Sequence, residues 1–107
     1  MLEITPEQVQ ELLPADPASL TIVDVREADE LGRGVLPGAV HIAMSGLAQN
    51  LERFQPGHRY VIYCEHGVRS LHVAAWLIRQ QIDAVSMSGG YSVWSGPTQA
   101  YEAEAEQ

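Results

Sequence analysis

Lysine is absent from the chain, and cysteine occurs once in 107 residues. Without lysine, no Schiff-base mechanism is open to it. With a single cysteine there can be neither an internal disulfide nor a multi-cysteine metal site. A lone thiol fits a reducing compartment, so a cytoplasmic location is expected. No apolar run approaches the ~20 residues that a membrane-spanning helix needs, so no membrane role is expected. No basic stretch followed by an apolar one opens the chain, so no signal peptide is expected. Positive charge is also scarce. Six arginines face fourteen acidic residues, for a net charge of −8. That field repels phosphate backbones and argues against nucleic acid as a partner. A local anion site survives the argument, because surface charge is screened over about 8–10 Å. The four histidines show no HxxxH-type spacing, so no metal and no cofactor are expected.

What is present is a chain of one domain's length with 46% hydrophobic residues, enough for a single core. Leu2-Glu3-Ile4 reads as a short strand. Thr5-Pro6-Glu7-Gln8 reads as a helix start, with a capping box from Thr5 to Gln8 and proline at the first helical position. Val9, Leu12 and Leu13 give that helix its apolar face, and Pro14 and Pro17 end it. Leu20 to Val25 is a β-branched run expected to be a central strand buried on both faces. The charges from Arg26 to Arg33 are expected mostly on a solvated face. Asp24 and Arg26 stand apart, because they sit where the apolar run ends, and an ion pair or a cap with a stabilising role is expected there. A turn follows at 34–39, then a short strand at 40–43. Ser45 is expected to cap a helix through about Arg53, with Leu47, Leu51 and Phe54 inward. Arg59 to Tyr63 and Ala84 to Met87 read as further strands. Trp76 is expected as partial core or surface cover and Trp94 as core. Gly89-Gly90 reads as a flexible turn, and Ala100 to Gln107 as a frayed helix or a disordered tail.

The stretch that carries chemistry is Val61-Ile62-Tyr63-Cys64-Glu65-His66-Gly67-Val68-Arg69-Ser70. It reads as a buried strand, a tight loop and the start of a helix over Leu71 to Ile82. Gly67 permits positive φ where the loop curls. Backbone amides of such a curl, joined by those of a helix start, form an anion nest. A cysteine at its rim should ionise more easily than a free thiol. Arg69 adds a permanent positive charge. Ser70 is expected to cap the helix, and His66 to point to solvent or substrate. A lone cysteine at a strand end is often a small buried hydrophobe, but glycine and arginine at these offsets favour a reactive thiolate. Strands alternating with helical patterns predict an α/β fold with a mostly parallel sheet, and ligands in such folds bind beyond the strands' carboxyl ends, where Cys64 lies.

Four segments together resemble the single-domain rhodanese-like sulfurtransferases: Asp24-Val25-Arg26-Glu27, Gly34-Val35-Leu36-Pro37-Gly38-Ala39, Cys64 to Ser70, and Gly89-Gly90-Tyr91-Ser92-Val93-Trp94. The resemblance implies a five-stranded, mostly parallel sheet with helices on both faces. It places a rhodanese-like domain over residues 1–97 and leaves an acidic tail over 98–107. It implies that Cys64 takes a sulfane sulfur from a donor such as thiosulfate as a persulfide and passes it to an acceptor thiol or cyanide. Glu65, His66, Gly67, Val68, Arg69 and Ser70 would form the substrate-binding loop, and a protein persulfide donor or acceptor is a further partner. Two positions depart from the family. Val35 stands where histidine is common, with little catalytic effect expected. Gln81 stands where glycine is usual, so that helix end is expected to close differently, since a left-handed Gln81 costs about 1–2 kcal/mol.

Three other readings remain open. A persulfide relay would use the same chemistry at Cys64 with protein partners. A non-catalytic rhodanese-like binding module usually lacks the cysteine. A cysteine-based phosphatase has a loop one residue longer, wide enough for a phosphoryl group, whereas only Glu65, His66, Gly67 and Val68 separate Cys64 from Arg69. Glu65 suggests one further expectation. Its carboxylate beside the nucleophile should repel dianionic thiosulfate and make it a poor donor, unless that carboxylate turns to solvent or pairs with an arginine.

Overall fold

The computed structural model describes residues 2–103. Strands β1 (Glu3–Ile4), β2 (Leu20–Asp24), β3 (Val40–His41), β4 (Arg59–Tyr63) and β5 (Asp83–Met87) form one sheet in the order β1-β5-β4-β2-β3. Every strand pair in it is parallel. Helix α1 (Pro6–Glu11) follows β1, and helix α2 (Val68–Arg79) joins β4 to β5. The sheet is the expected α/β arrangement with one adjustment. The central strand is β4, which delivers Cys64, and β2 lies one place nearer the edge.

Strand alternation divides the core between the two faces. Val23, Tyr60, Ile62 and Ala84 pack in one cluster with Val73, Ala74 and Leu77 of α2, and with Leu47 and Phe54. Ile22, Val61, Tyr63, Val85 and Met87 pack in the other with Val9 of α1 and Leu36. Cys64 continues the alternation of Tyr60 and Ile62 and belongs to the α2 side. Helix α2 buries Ser70, Val73, Ala74 and Leu77, the i, i+3, i+4, i+7 spacing of one helical face. Ile78, one residue past Leu77, lies off that face and is 40% exposed.

Several local expectations meet a different geometry. The Thr5 capping box closes as expected, with Gln8 N–H on Thr5 Oγ1 at 3.0 Å and Thr5 N–H on Gln8 Oε1 at 2.8 Å. Leu12, expected on the apolar face of that helix, is 42% exposed beyond its last turn. In place of one helix from Ser45 there are 3₁₀ turns at Met44–Gly46 and Ala48–Arg53, the second kinked at Asn50 (φ −114°). Trp94 is half-buried at the edge of the α1-side cluster rather than core. Gln99 pairs with Val35 through two backbone hydrogen bonds of 2.9 Å, so the chain is tied down past residue 97. Residues 100–103 are not helical, and 104–107 of the expected tail lie outside the described residues.

Gln81 does not change how α2 ends. It adopts the left-handed conformation (φ 67°), and Ile82 N–H reaches Leu77 O while Gln81 N–H reaches Ile78 O, each at 3.0 Å. That is the Schellman closure, which glycine favours. The side chain is exposed, so replacing it loses little packing. Gln81→Gly is expected to stabilise the protein by about 1 kcal/mol, raising the melting temperature by about 4 °C or more. A thermal melt that did not rise would show that Gln81 is unstrained.

Candidate active site

Cys64 leaves the carboxyl end of the central strand and is 1% exposed. Gly67 then takes positive φ (87°) and forms the N-terminal boundary of α2. A side chain there would clash, because a Cβ on Gly67 would lie 2.8 Å from Gly89 N. The curl turns amides onto the sulfur: Gly67 N–H and Ser70 N–H donate to Cys64 Sγ at 3.2 and 3.3 Å. In the thiol form Sγ–H donates to Ser70 Oγ at 3.4 Å. Burial pushes this thiol up. The Ser70 hydroxyl and the N–H groups of Ser70, Gly67 and His66 outweigh burial and leave it below its ordinary value. Ser70 therefore does something other than cap. Gly67 occupies the cap position, and Ser70 lies in the first turn with both its N–H and its hydroxyl on the sulfur. His66 and Val68 are exposed on the outer side of the loop.

Arg69 is paired with a carboxylate from outside the loop. Its Nη1 and Nη2 donate to Glu30 Oε2 and Oε1, each at 2.7 Å. The hydrogen bond from Arg69, opposed by partial burial, is the main cause that lowers the Glu30 carboxyl from 4.5 to about 2. Glu30 belongs to the charged 3₁₀ segment Ala28–Arg33, so the pair ties that segment to the active loop. The sequence predicts a mostly solvated face for those charges, and no local pattern singles out Glu30. Arg69 keeps an electrostatic link to the thiolate, since Cys64 and Arg69 favour each other's charged forms.

A group whose folded value is depressed contributes stability that is present above its unfolded value and lost as pH falls through the folded one. The Glu30–Arg69 pair is therefore expected to contribute fully above about pH 4.5 and to fade towards about pH 2. Glu30→Gln should melt lower than wild type near pH 7, and the gap should close across that acid window. A gap independent of pH would remove the ion pair from the explanation.

The loop's other end is held by a buried charge network. Asp24 and Arg26 are fully buried, with Arg26 Nη2 on Asp24 Oδ2 at 2.8 Å, the ion pair expected where β2 ends. Arg26 also donates to the carbonyls of Glu30 (3.2 Å) and Gly34 (2.8 Å), and its guanidinium lies 4.3 Å from the Tyr91 ring centroid. Glu65 is drawn into the network, with Oε1 on Arg26 at 3.1 Å and Oε2 on Arg33 at 2.7 Å. The expected repulsion of thiosulfate by a bare Glu65 is thus corrected: two arginines neutralise that carboxylate. Beside it, Asp29, Glu30, Arg33, His66 and Ser92 line an open polar cleft.

The Gly89-Gly90 segment is a brace rather than a flexible turn. Tyr91 N–H donates to Cys64 O at 2.8 Å, and Ser92 N–H to Glu65 O at 2.9 Å. A Cβ on Gly90 would lie 2.6 Å from Cys64 O, so only glycine admits this approach. The loop is therefore held from three directions: the 3₁₀ segment, the end of β2 and the chain after β5. Among the described residues no group of three or more His, Cys, Asp or Glu side chains converges as a metal site would.

Comparison with known proteins agrees with this architecture. Residues 5–97 match the family model described as a rhodanese-like domain. The chain is 35% identical over 96 residues to "Putative sulfurtransferase YtwF" of Bacillus subtilis, covering 90% of this chain and 92% of that one. It is 31% identical over 93 residues to the thiosulfate sulfurtransferase GlpE of Actinobacillus succinogenes, covering 86% and 82%. The crystal structure of a rhodanese-like domain protein from Staphylococcus aureus superposes with a TM-score of 0.85 at 33% identity, covering 95% of this chain and all of that one.

Proposed function

The chain belongs to the rhodanese-like family, whose members similar to it are named sulfurtransferases, and from that premise we propose that it transfers a sulfane sulfur through a persulfide on Cys64. The Cys64 thiolate attacks the outer sulfur of the donor. A new S–S bond forms as the donor's own S–S bond breaks, and sulfite leaves with the electron pair when the donor is thiosulfate. A thiolate or cyanide acceptor then attacks the outer sulfur of the persulfide, and the Cys64 thiolate departs. The proton balance is simple, because attacking and departing groups are both anions.

One observation carries this reading: Gly67 N–H, Ser70 N–H and the Ser70 hydroxyl converge on Sγ itself at 3.2–3.4 Å. They hold negative charge on sulfur, as thiolate and as leaving group. A phosphatase also needs a stabilised thiolate, but its loop is one residue longer, whereas only four residues separate Cys64 from Arg69 here. The same chemistry serves a persulfide relay between proteins, so the donor class is stated by chemistry: thiosulfate or a persulfide. In the test, the protein is incubated with thiosulfate or with a low-molecular-weight persulfide, freed of excess and weighed intact. A gain of one sulfur atom is expected, with no measurable hydrolysis of an aryl phosphate. No gain from either donor would sink the proposal, and hydrolysis that disappears in Cys64→Ser would replace it with a phosphatase.

A further inference from the structure

Ser86 is a fully buried hydroxyl in an otherwise apolar run, Ala84-Val85-Ser86-Met87. Its Oγ lies 2.7 Å from Ser70 Oγ, and Ser70 Oγ lies 3.4 Å from Cys64 Sγ. The topology creates this chain of three. Strand β5 lies beside β4, with Ser86 opposite Ile62, two residues before Cys64 and on the same face. The first turn of α2 then brings Ser70 down between them. A buried hydroxyl costs stability unless it is hydrogen-bonded, and the partner Ser86 finds is the hydroxyl that touches the nucleophile.

We propose that Ser86 is a positioning residue for Cys64, acting through the Ser70 hydroxyl to stabilise the thiolate. The argument is one of direction. An ionised sulfur only accepts, so the Ser70 O–H must turn towards it. Ser70 Oγ is then an acceptor, and the Ser86 O–H is the donor that lies 2.7 Å away. Two dipoles then run head to tail onto the charge, each strengthening the next. With the thiol protonated, Sγ–H can donate to Ser70 Oγ and the order reverses, so the full strength of the chain is realised on ionisation. The other charged or titratable groups about the loop are Arg69 on α2 with its partner Glu30, Glu27 and Arg33 at the two ends of the neighbouring 3₁₀ segment, Glu65 and His66 in the loop, and Asp24 and Arg26 at the end of β2. On β5, Asp83 sits at the strand's opposite, exposed end. Substituting Ser86 alters none of them.

The inference rests on Cys64 being the reacting group, and its test is independent of sulfur transfer. The rate of alkylation of the full-length protein by iodoacetamide is measured against pH, with no sulfur donor present. Ser86→Ala is expected to shift the thiol's midpoint upward by about half a pH unit, a small fraction of one strong hydrogen bond. Ser86→Thr and Ser86→Val have nearly equal volume, and only the threonine should keep the wild-type midpoint. That pair carries the test if the alanine variant folds poorly. On a Ser70→Ala background, Ser86→Ala should add no shift, because the link is gone. An unchanged or lowered midpoint in Ser86→Ala, equal midpoints for threonine and valine, or an undiminished shift without Ser70 would each overturn the proposal.

Discussion

Cys64→Ser is expected to abolish sulfur transfer, with turnover falling by at least roughly a thousandfold, as losing a catalytic nucleophile does. The serine hydroxyl cannot accept a sulfur as a persulfide, and at neutral pH it is almost wholly protonated. The fold should survive. Serine is slightly smaller, and its Oγ can accept from Gly67 N–H and Ser70 N–H as sulfur does. The thermal melt should therefore stay close to that of wild type while the thiosulfate-to-cyanide reaction disappears. Since Cys64 is the only thiol in the chain, no second cysteine can rescue the reaction. A purified serine variant that still formed thiocyanate would refute the assignment.

Arg26→Ala is expected to have the largest effect on stability. The substitution strands the Asp24 carboxylate, fully buried, without its cation. It also removes donors from the carbonyls of Glu30 and Gly34 and a partner from Glu65. Breaking one half of a buried ion pair costs about 3–5 kcal/mol, a large part of the roughly 5–15 kcal/mol that holds a domain folded. The melting temperature should fall by more than about 12 °C. Arg26→Lys should recover only part of this, because an ammonium on a single stem cannot span Asp24, Gly34 and Glu65 as the planar fork does. Removing both charges, as in Asp24→Leu with Arg26→Met, should be milder than Arg26→Ala, since no unpaired charge remains buried. A double variant as unstable as the sum of its parts would mean that packing, not charge, sets the cost.

The parts of this protein that could be read from the sequence obey short-range rules. The Thr5 capping box closes within three residues, β4 is a continuous apolar run, and Gly67 stands where the loop must turn left-handed. Asp24 and Arg26 are two residues apart, so their pairing was also within reach. Ser70 departs from the expected cap for a related reason. A serine near a helix start is a common cap, and only the true start at Val68, one turn earlier, places it on the sulfur instead. At Gln81, about 1–2 kcal/mol of left-handed strain does not prevent the closure of α2 by Gln81 N–H on Ile78 O and Ile82 N–H on Leu77 O.

From its residues alone, the chain determined an α/β sheet, the delivery of one thiol to a strand's carboxyl end, and an amide nest around it. Those follow from periodicity, glycine placement and one strand–loop–helix junction, all set by neighbours in sequence. Tertiary structure alone decided what holds the nest. Glu30 meets Arg69 across 39 residues, Glu65 meets Arg33 across 32, Tyr91 reaches back to Cys64, and Ser86 meets Ser70 across 16. Each of these contacts requires a strand order and a register before either partner has a position. A charge or a hydroxyl carries no local mark of the distant group it will face, so Glu30 and Arg33 read as solvated surface, and Ser86 as one more strand residue, until the sheet brings them to their partners.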